Sequence, residues 1–143
     1  MAQINEVTLN EPAVIHNMLA DSKTIAVIGI SDSPAKPSHY VSAYMQEVGY
    51  KIYAVNPALS EAVLGETPYA TLTDLPIKPD IVNVFRLPRF IPAIVEEMIT
   101  LGLKNIWVQQ GIVNLEAAAR AESAGIHVVM DHCIMVEHRH NHR

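Results

Sequence analysis

The sequence predicts an α/β fold built on one doubly wound parallel sheet, and three observations lead there. Short apolar segments recur along the chain, among them Thr24-Ile25-Ala26-Val27-Ile28 and Ile81-Val82-Asn83-Val84-Phe85. The stretches between most of them carry apolar residues at helical spacing, and glycine or Asn-Pro closes many of these units. Strands covered on both faces read as continuous apolar runs, and helices placed between them impose parallel pairing. Half of the 143 residues are hydrophobic, enough for one well-buried core.

The elements follow in order. Asn10 is placed to cap a helix that starts at Glu11-Pro12 and buries Val14, Ile15, Met18 and Leu19 on one face. This lead-in helix precedes the first strand, Thr24 to Ile28, which ends at Gly29. A second helix runs from about Ser38 to Val48 on Val41, Tyr44, Met45 and Val48, with Gly49 suited to its C-terminus. Lys51 to Val55 is the second strand, stopped by Asn56-Pro57, because proline lacks a ladder donor and restricts the residue before it. The turn-rich stretch beyond, with Gly65, Pro68 and Pro76, holds a short edge strand near Thr67 to Ala70 and one helical turn from Thr71.

Ile81 to Phe85 is the next strand, backed by a helix on Ile91, Ile94, Val95 and Met98 that Gly102 closes. Asn105 to Val108 is another strand. Asn114 then caps an alanine-rich helix, Leu115 to Ala124, ended by Gly125, and His127 to Met130 is the last strand. Right-handed crossovers turn this series into a Rossmann-like sheet of order 3-2-1-4-5-6, with the short edge strand counted third. Ligands of such sheets sit beyond the carboxyl ends of the strands. Here those ends are Gly29 and its loop, Asn56-Pro57, Phe85-Arg86, Gln109-Gln110-Gly111 and Asp131-His132-Cys133.

Length and charge restrict the function classes. Residues 1–143 read as one domain with its core at about 24–137, leaving no room for a separate substrate domain. The formal charge is −5 and the 10 Lys and Arg are scattered, so no broad basic face for nucleic acid is visible. No apolar stretch reaches the roughly 20 residues that span a bilayer. With no signal-like N-terminus and a single cysteine, Cys133, the expected location is cytoplasmic.

The strand ends carry the chemistry. A strand that opens through a small-residue loop onto a helix N-terminus is a common phosphate grip. Gly29 allows a sharp turn and close approach, Ser31, Ser33 and Ser38 offer hydroxyls, and Lys36 adds a point charge beside Pro37. Only the first glycine of G-x-G-x-x-G is present, since Ser31 and Pro34 hold the other two positions, which makes ordinary NAD less suitable. The same segment also suits a plain βα turn with Ser38 as N-cap.

Asn56 stands where NAD-binding folds place an acid for the ribose hydroxyls, so the site there is neutral and suits NADP or coenzyme A better. Asn56-Pro57 is equally a turn initiator. Arg86 can form a bidentate contact with phosphate or carboxylate. Gln109, Gln110 and Gly111 can meet an amide-rich ligand such as pantetheine, or form a polar turn.

Asp131, Cys133 and His138, with His140 and His142 in a polar tail, place thiolate, imidazole and carboxylate within a short span, but their spacing matches no closed zinc pattern. No native metal site is expected, and Cys133 reads as a buried small hydrophobe. The chain has no G-K-[ST] loop, no G-x-S-x-G elbow and no Tyr-x-x-x-Lys pair, so no catalytic set is expected.

Taken together, Val27-Ile28-Gly29 with Pro37-Ser38, Gly49-Tyr50 with Val55-Asn56-Pro57, Phe85-Arg86, Trp107 to Gly111, and Met130 to Cys133 with Val136 to His138 resemble the small stand-alone coenzyme A-binding proteins. That family is similar to the CoA-binding domain of the succinyl-CoA synthetase α subunit without its partner domains. The resemblance runs from about Thr24 to Glu137. It implies that the loop Gly29 to Ser38 lies against the CoA phosphates, that Asn56 and Pro57 flank the nucleotide end, and that Phe85, Arg86 and Gln109 border the cleft. Arg89, where similar sequences often carry an acid, and His39, where they often carry an aromatic or aliphatic residue, depart from the pattern. The synthetase's catalysis does not transfer, because it needs a phosphorylatable histidine on a second domain and a nucleotide-binding partner subunit.

The expectation is therefore a protein that binds coenzyme A or a short acyl-CoA without catalysis of its own, through Gly29, Ser31, Lys36, Pro37, Ser38, Asn56, Pro57, Phe85, Arg86, Gln109 and Gly111. An NAD(P)-binding oxidoreductase or redox-sensing module is the alternative from the same architecture. A thiol or metal site at Asp131, Cys133 and His138 is a third reading.

Overall fold

The computed structural model describes residues 9–141. Its sheet has five parallel strands, β1 (Thr24–Ile28), β2 (Lys51–Val55), β3 (Ile81–Val84), β4 (Asn105–Val108) and β5 (His127–Met130), in the order β2-β1-β3-β4-β5. Register is direct, with Ile25 beside Ile52 and Ile81, and Asn83 beside Trp107. The order of these strands is the predicted one, but the sheet has five strands rather than six. The expected edge strand at Thr67 to Ala70 shrinks to one parallel bridge between Tyr69 and Val55. Tyr69 N–H donates to Ala54 O and Tyr69 O accepts from Asn56 N–H, at 2.9 and 2.8 Å. Pro68 has no N–H to extend that ladder, and the chain soon enters a 3-10 turn at Leu72–Asp74.

Alternation along the strands divides the core. Side chains of Ile25, Val27, Ile81, Trp107 and Val129 pack under helices α1 (Pro12–Asp21), α2 (Pro37–Glu47) and α5 (Ile134–Asn141). Those of Ala26, Val82, Val84, Ile106 and Val128 pack under α3 (Ile91–Leu101) and α4 (Leu115–Ser123). Strands buried on both faces thus explain the apolar runs. Trp107 is fully buried, and its Nε1 donates to His132 O at 2.9 Å, so the largest core side chain also fixes the segment after β5.

Helix ends correct three expectations. Asn10 does not cap α1, which begins after Glu11. Its side chain instead donates to Met130 O and accepts from Met130 N–H, a bond pair that holds the chain before α1 to the end of β5. Ser38 is not the N-cap of α2, because Pro37, with its fixed φ, starts the helix one residue earlier and leaves Lys36 at the cap. The tail read as polar is helix α5, which buries Ile134 and His138 on one stripe. His142 lies outside the described residues. Two expectations match: Asn114 Oδ1 accepts from Ala117 N–H at 3.0 Å, and Gly102 closes α3 with φ 75°.

Candidate functional site

The strand order reverses direction between β1 and β3, so the loops after these strands diverge to opposite faces and leave a crevice at their carboxyl ends. A cleft of about 580 Å³ opens there on the α2 and α5 face, lined by Pro37, Tyr40, Phe85, Gln109, Cys133 and Val136, among others. A second hollow of about 500 Å³ adjoins it, walled by Arg86, Leu87, Arg89 and Phe90. Phe85 and Ile112 line both, so the two hollows lie side by side across the ends of β3 and β4.

Gly29 is where the loop and the crevice meet. Its φ is 87°, and a Cβ at this position would collide with Phe85 O and lie 2.9 Å from Arg86 Cδ. Glycine is therefore required by both conformation and space. Gly29 N–H donates to Val55 O and Phe85 N–H to Ile28 O, so the ends of β2, β1 and β3 are tied together.

The serines of the loop are bonded to one another. Ser38 Oγ is buried in the first turn of α2 and accepts from Ser31 N–H at 2.9 Å, while Ser31 Oγ accepts from Ser33 N–H at 3.0 Å. A hydroxyl used as acceptor keeps its own O–H to donate. His39 Nδ1 lies 2.9 Å from Ser31 O, so this departure from the family pattern braces the loop. Asn56 uses both ends of its amide on the same frame: Nδ2 donates to Ile30 O and Oδ1 accepts from Ala58 N–H, both at 2.9 Å.

Arg86 carries its guanidinium 4.1 Å from the Phe90 ring centroid, and Arg89 approaches the same ring at 4.7 Å. Neither pairs with a carboxylate among the described residues, although Lys51 and Arg120 do. The groove thus has two uncompensated cations at its rim in a chain of net charge −5. Lys36 is exposed at the α2 cap, and Asp32 is the acid within the same loop.

Gln109 is buried in the cleft floor, 3% exposed, with Nε2 donating to Asn83 Oδ1 at 2.7 Å. Gly111 does not line the cleft: its N–H is taken by Asp131 Oδ1 at 2.6 Å, and Asp131 itself adopts φ 65°. Gly29, Ser31, Pro37, Ser38, Phe85, Arg86 and Gln109 are thus gathered about one crevice, with Asn56 joined to it through Ile30. Pro57 and Gly111 stand outside as exposed turn residues.

Cys133 is half-buried in the cleft wall rather than in the core. Tyr44 Oη and His138 Nδ1 are 2.8 Å apart, which turns His138 toward α2, and no group of three His, Cys, Asp or Glu is placed to hold a metal among the described residues. Shifted titrations belong to the scaffold: burial raises Tyr50, with Tyr44 adding to it, and the hydrogen bond from Arg120 lowers Glu96. Tyr40 and Val136 were not expected in the cleft. Their signal lay in topology alone, since each sits in the first turn of a helix, α2 or α5, that comes after a strand end.

A family model described as a CoA binding domain matches residues 23–139, from the first strand through α5. The chain belongs to the CoA-binding domain family. This CoA-binding domain is 44% identical over 126 residues to the uncharacterized protein YneT of Bacillus subtilis (strain 168), a match that covers 88% of this chain and 93% of that one. The solved structure of cell-free ID.343 from Thermus thermophilus superposes with a TM-score of 0.87 at 38% identity, covering 92% of this chain and 99% of that one. Dinucleotide-forming acetyl-coenzyme A synthetase 1 of Ca. Korarchaeum cryptofilum shares the fold at TM-score 0.66 and 23% identity, over 78% of this chain and 26% of that one. No helix of the described residues is long and apolar enough to cross a membrane.

Proposed function

We propose that this CoA-binding domain binds coenzyme A or a short acyl-CoA in the groove at the carboxyl ends of β1, β3 and β4, in the cytoplasm and without a reaction of its own. The observation that carries the reading is the pair of adjoining hollows about Phe85, one walled by Arg86 and one floored by Gln109, in a chain matched to a CoA-binding family from residue 23 to 139.

The phosphates lie against Gly29 to Ser38, where the Ser31 and Ser38 O–H groups, Lys36 at the α2 cap and Arg86 beside Gly29 supply donors and charge. The nucleotide end lies toward Asn56 and Pro57, and the pantetheine arm crosses Phe85 to the buried amide of Gln109. Asn56 acts through the frame: by holding Ile30 O it fixes the start of the phosphate loop. Gly111 acts in the same way, through Asp131, by setting the turn that carries Gln109.

Native mass spectrometry of the purified protein, followed by thermal-shift comparison of CoA, acetyl-CoA, NAD and NADP, tests the reading. A co-purifying CoA mass or a shift selective for CoA and acetyl-CoA is the expected result. A selective NADP shift, or none with any of the four, overturns it.

A further inference from the structure

Asn83 is the one polar residue of β3 and is 1% exposed. It pairs in register with Val27 of β1 and Trp107 of β4, so it lies on the sheet face that carries the cleft. Gln109 follows Trp107 by two residues and is therefore the diagonal neighbour of Asn83 on that face. Their amides meet at 2.7 Å, Gln109 Nε2 donating to Asn83 Oδ1. Asn83 Nδ2 is buried with no hydrogen-bond partner among the described residues.

A buried amide donor without a partner is unfavourable, and a valine at the same strand position would avoid it. Asn83 Nδ2 therefore contributes nothing to stability. What Asn83 does is decide which end of the Gln109 amide is free. An amide offers donors at one end and an acceptor at the other, and with Nε2 held to the sheet by Asn83, Oε1 is the end left for the cleft. Without Asn83, the Gln109 amide has no reason to prefer one orientation.

We propose that Asn83 is a positioning residue that turns Gln109 Oε1 toward the cleft as an acceptor for an amide N–H of the ligand. The inference rests on the coenzyme A reading, in which that N–H belongs to the pantetheine arm. A ligand that lacks secondary amides gains nothing from this arrangement.

Titration calorimetry on the full chain tests it with two ligands: CoA, and adenosine 3′,5′-bisphosphate, which keeps the nucleotide and lacks pantetheine. The variants are Asn83→Val, Gln109→Leu and the double substitution. Each single change is expected to weaken CoA about five- to tenfold, the worth of one hydrogen bond. The double change loses no more than the larger single, because both act through one contact. Adenosine 3′,5′-bisphosphate binds all four proteins alike.

Losses that add in the double variant, an Asn83→Val protein with unchanged CoA affinity, or an equal loss for the bisphosphate overturns the role of Asn83 while leaving coenzyme A as ligand. A wild-type protein that binds neither compound removes the coenzyme A reading and this inference with it. Gln109→Leu, which leaves β3 untouched, keeps the test open if Asn83→Val does not fold.

Discussion

Arg86→Ala separates a phosphate contact from general charge. The guanidinium stacks on Phe90 at 4.1 Å, the stem runs beside Gly29, and no carboxylate among the described residues pairs with it, so the cation–π contact is what Arg86→Ala removes from the free protein. Losing that contact costs about 0.5–1 kcal/mol, and at roughly 2–4 °C per kcal/mol for a chain near this size the melting temperature falls by about 1–4 °C. A charge-assisted bond to phosphate is worth more, about 1.5–3 kcal/mol, which is roughly 10- to 150-fold in Kd.

Calorimetric titration of CoA into wild type, Arg86→Ala, Arg86→Lys and Arg120→Ala reads the difference. Arg86→Lys keeps the charge and loses the planar fork, so it falls between wild type and alanine. Arg120, paired with Glu96 on the far surface at 2.8 Å, changes the net charge equally and leaves affinity unaltered. An Arg86→Ala affinity within about threefold of wild type, or an equal loss in Arg120→Ala, refutes a direct phosphate contact.

Gly29→Ala should destabilise by at least ~2 kcal/mol, since the left-handed conformation alone costs a β-carbon roughly 1–2 kcal/mol and the Phe85 carbonyl must also move. Its melting temperature falls by more than about 4 °C and CoA binding is lost with it; a change below about 2 °C would contradict the crowding. Asn114→Ala removes the α4 cap and the bond from Nδ2 to Pro88 O at 3.0 Å, costing about 1–2 kcal/mol in urea unfolding with no effect on ligand affinity. Arg120 holds the Glu96 carboxyl below its ordinary range, so the folded pKa lies under the unfolded one. The pair's small stabilisation is then present above the ordinary glutamate pKa and lost as pH falls through the folded value. Melting curves of wild type and Glu96→Gln taken from about pH 6 to pH 3 should converge in acid, and a gap that widens there would reverse the assignment.

Much of the groove could be read before the fold was known, because strand ends in a parallel sheet are forced to one edge. Gly29, Arg86 and Gln109 each directly follow an apolar run and Phe85 ends one, so position along the chain alone brings them to one edge. The serine loop shows where that reading stops. Ser31 and Ser38 look like two hydroxyls facing a ligand, yet each also accepts a backbone N–H within the loop, and only the coordinates assign these partners. Asn56 has the same history: its neutrality was visible, but its use as a clamp on Ile30 O depends on how close two loops approach. Helix α5 escaped notice because its buried stripe is only Ile134 and His138, and a histidine among charged neighbours does not read as core.

Burial on both faces and the handedness of crossovers, which composition and spacing encode, were enough to reach the parallel sheet, its strand order and the carboxyl edge at which the groove opens. Contacts between distant segments are what stop the expected edge strand at one bridge, give Asn10 to β5 instead of α1, and bring Asn83 to Gln109. Those outcomes depend on hydrogen bonds between residues far apart in the chain, where a few tenths of an ångström select the partner, and local sequence holds no record of that distance.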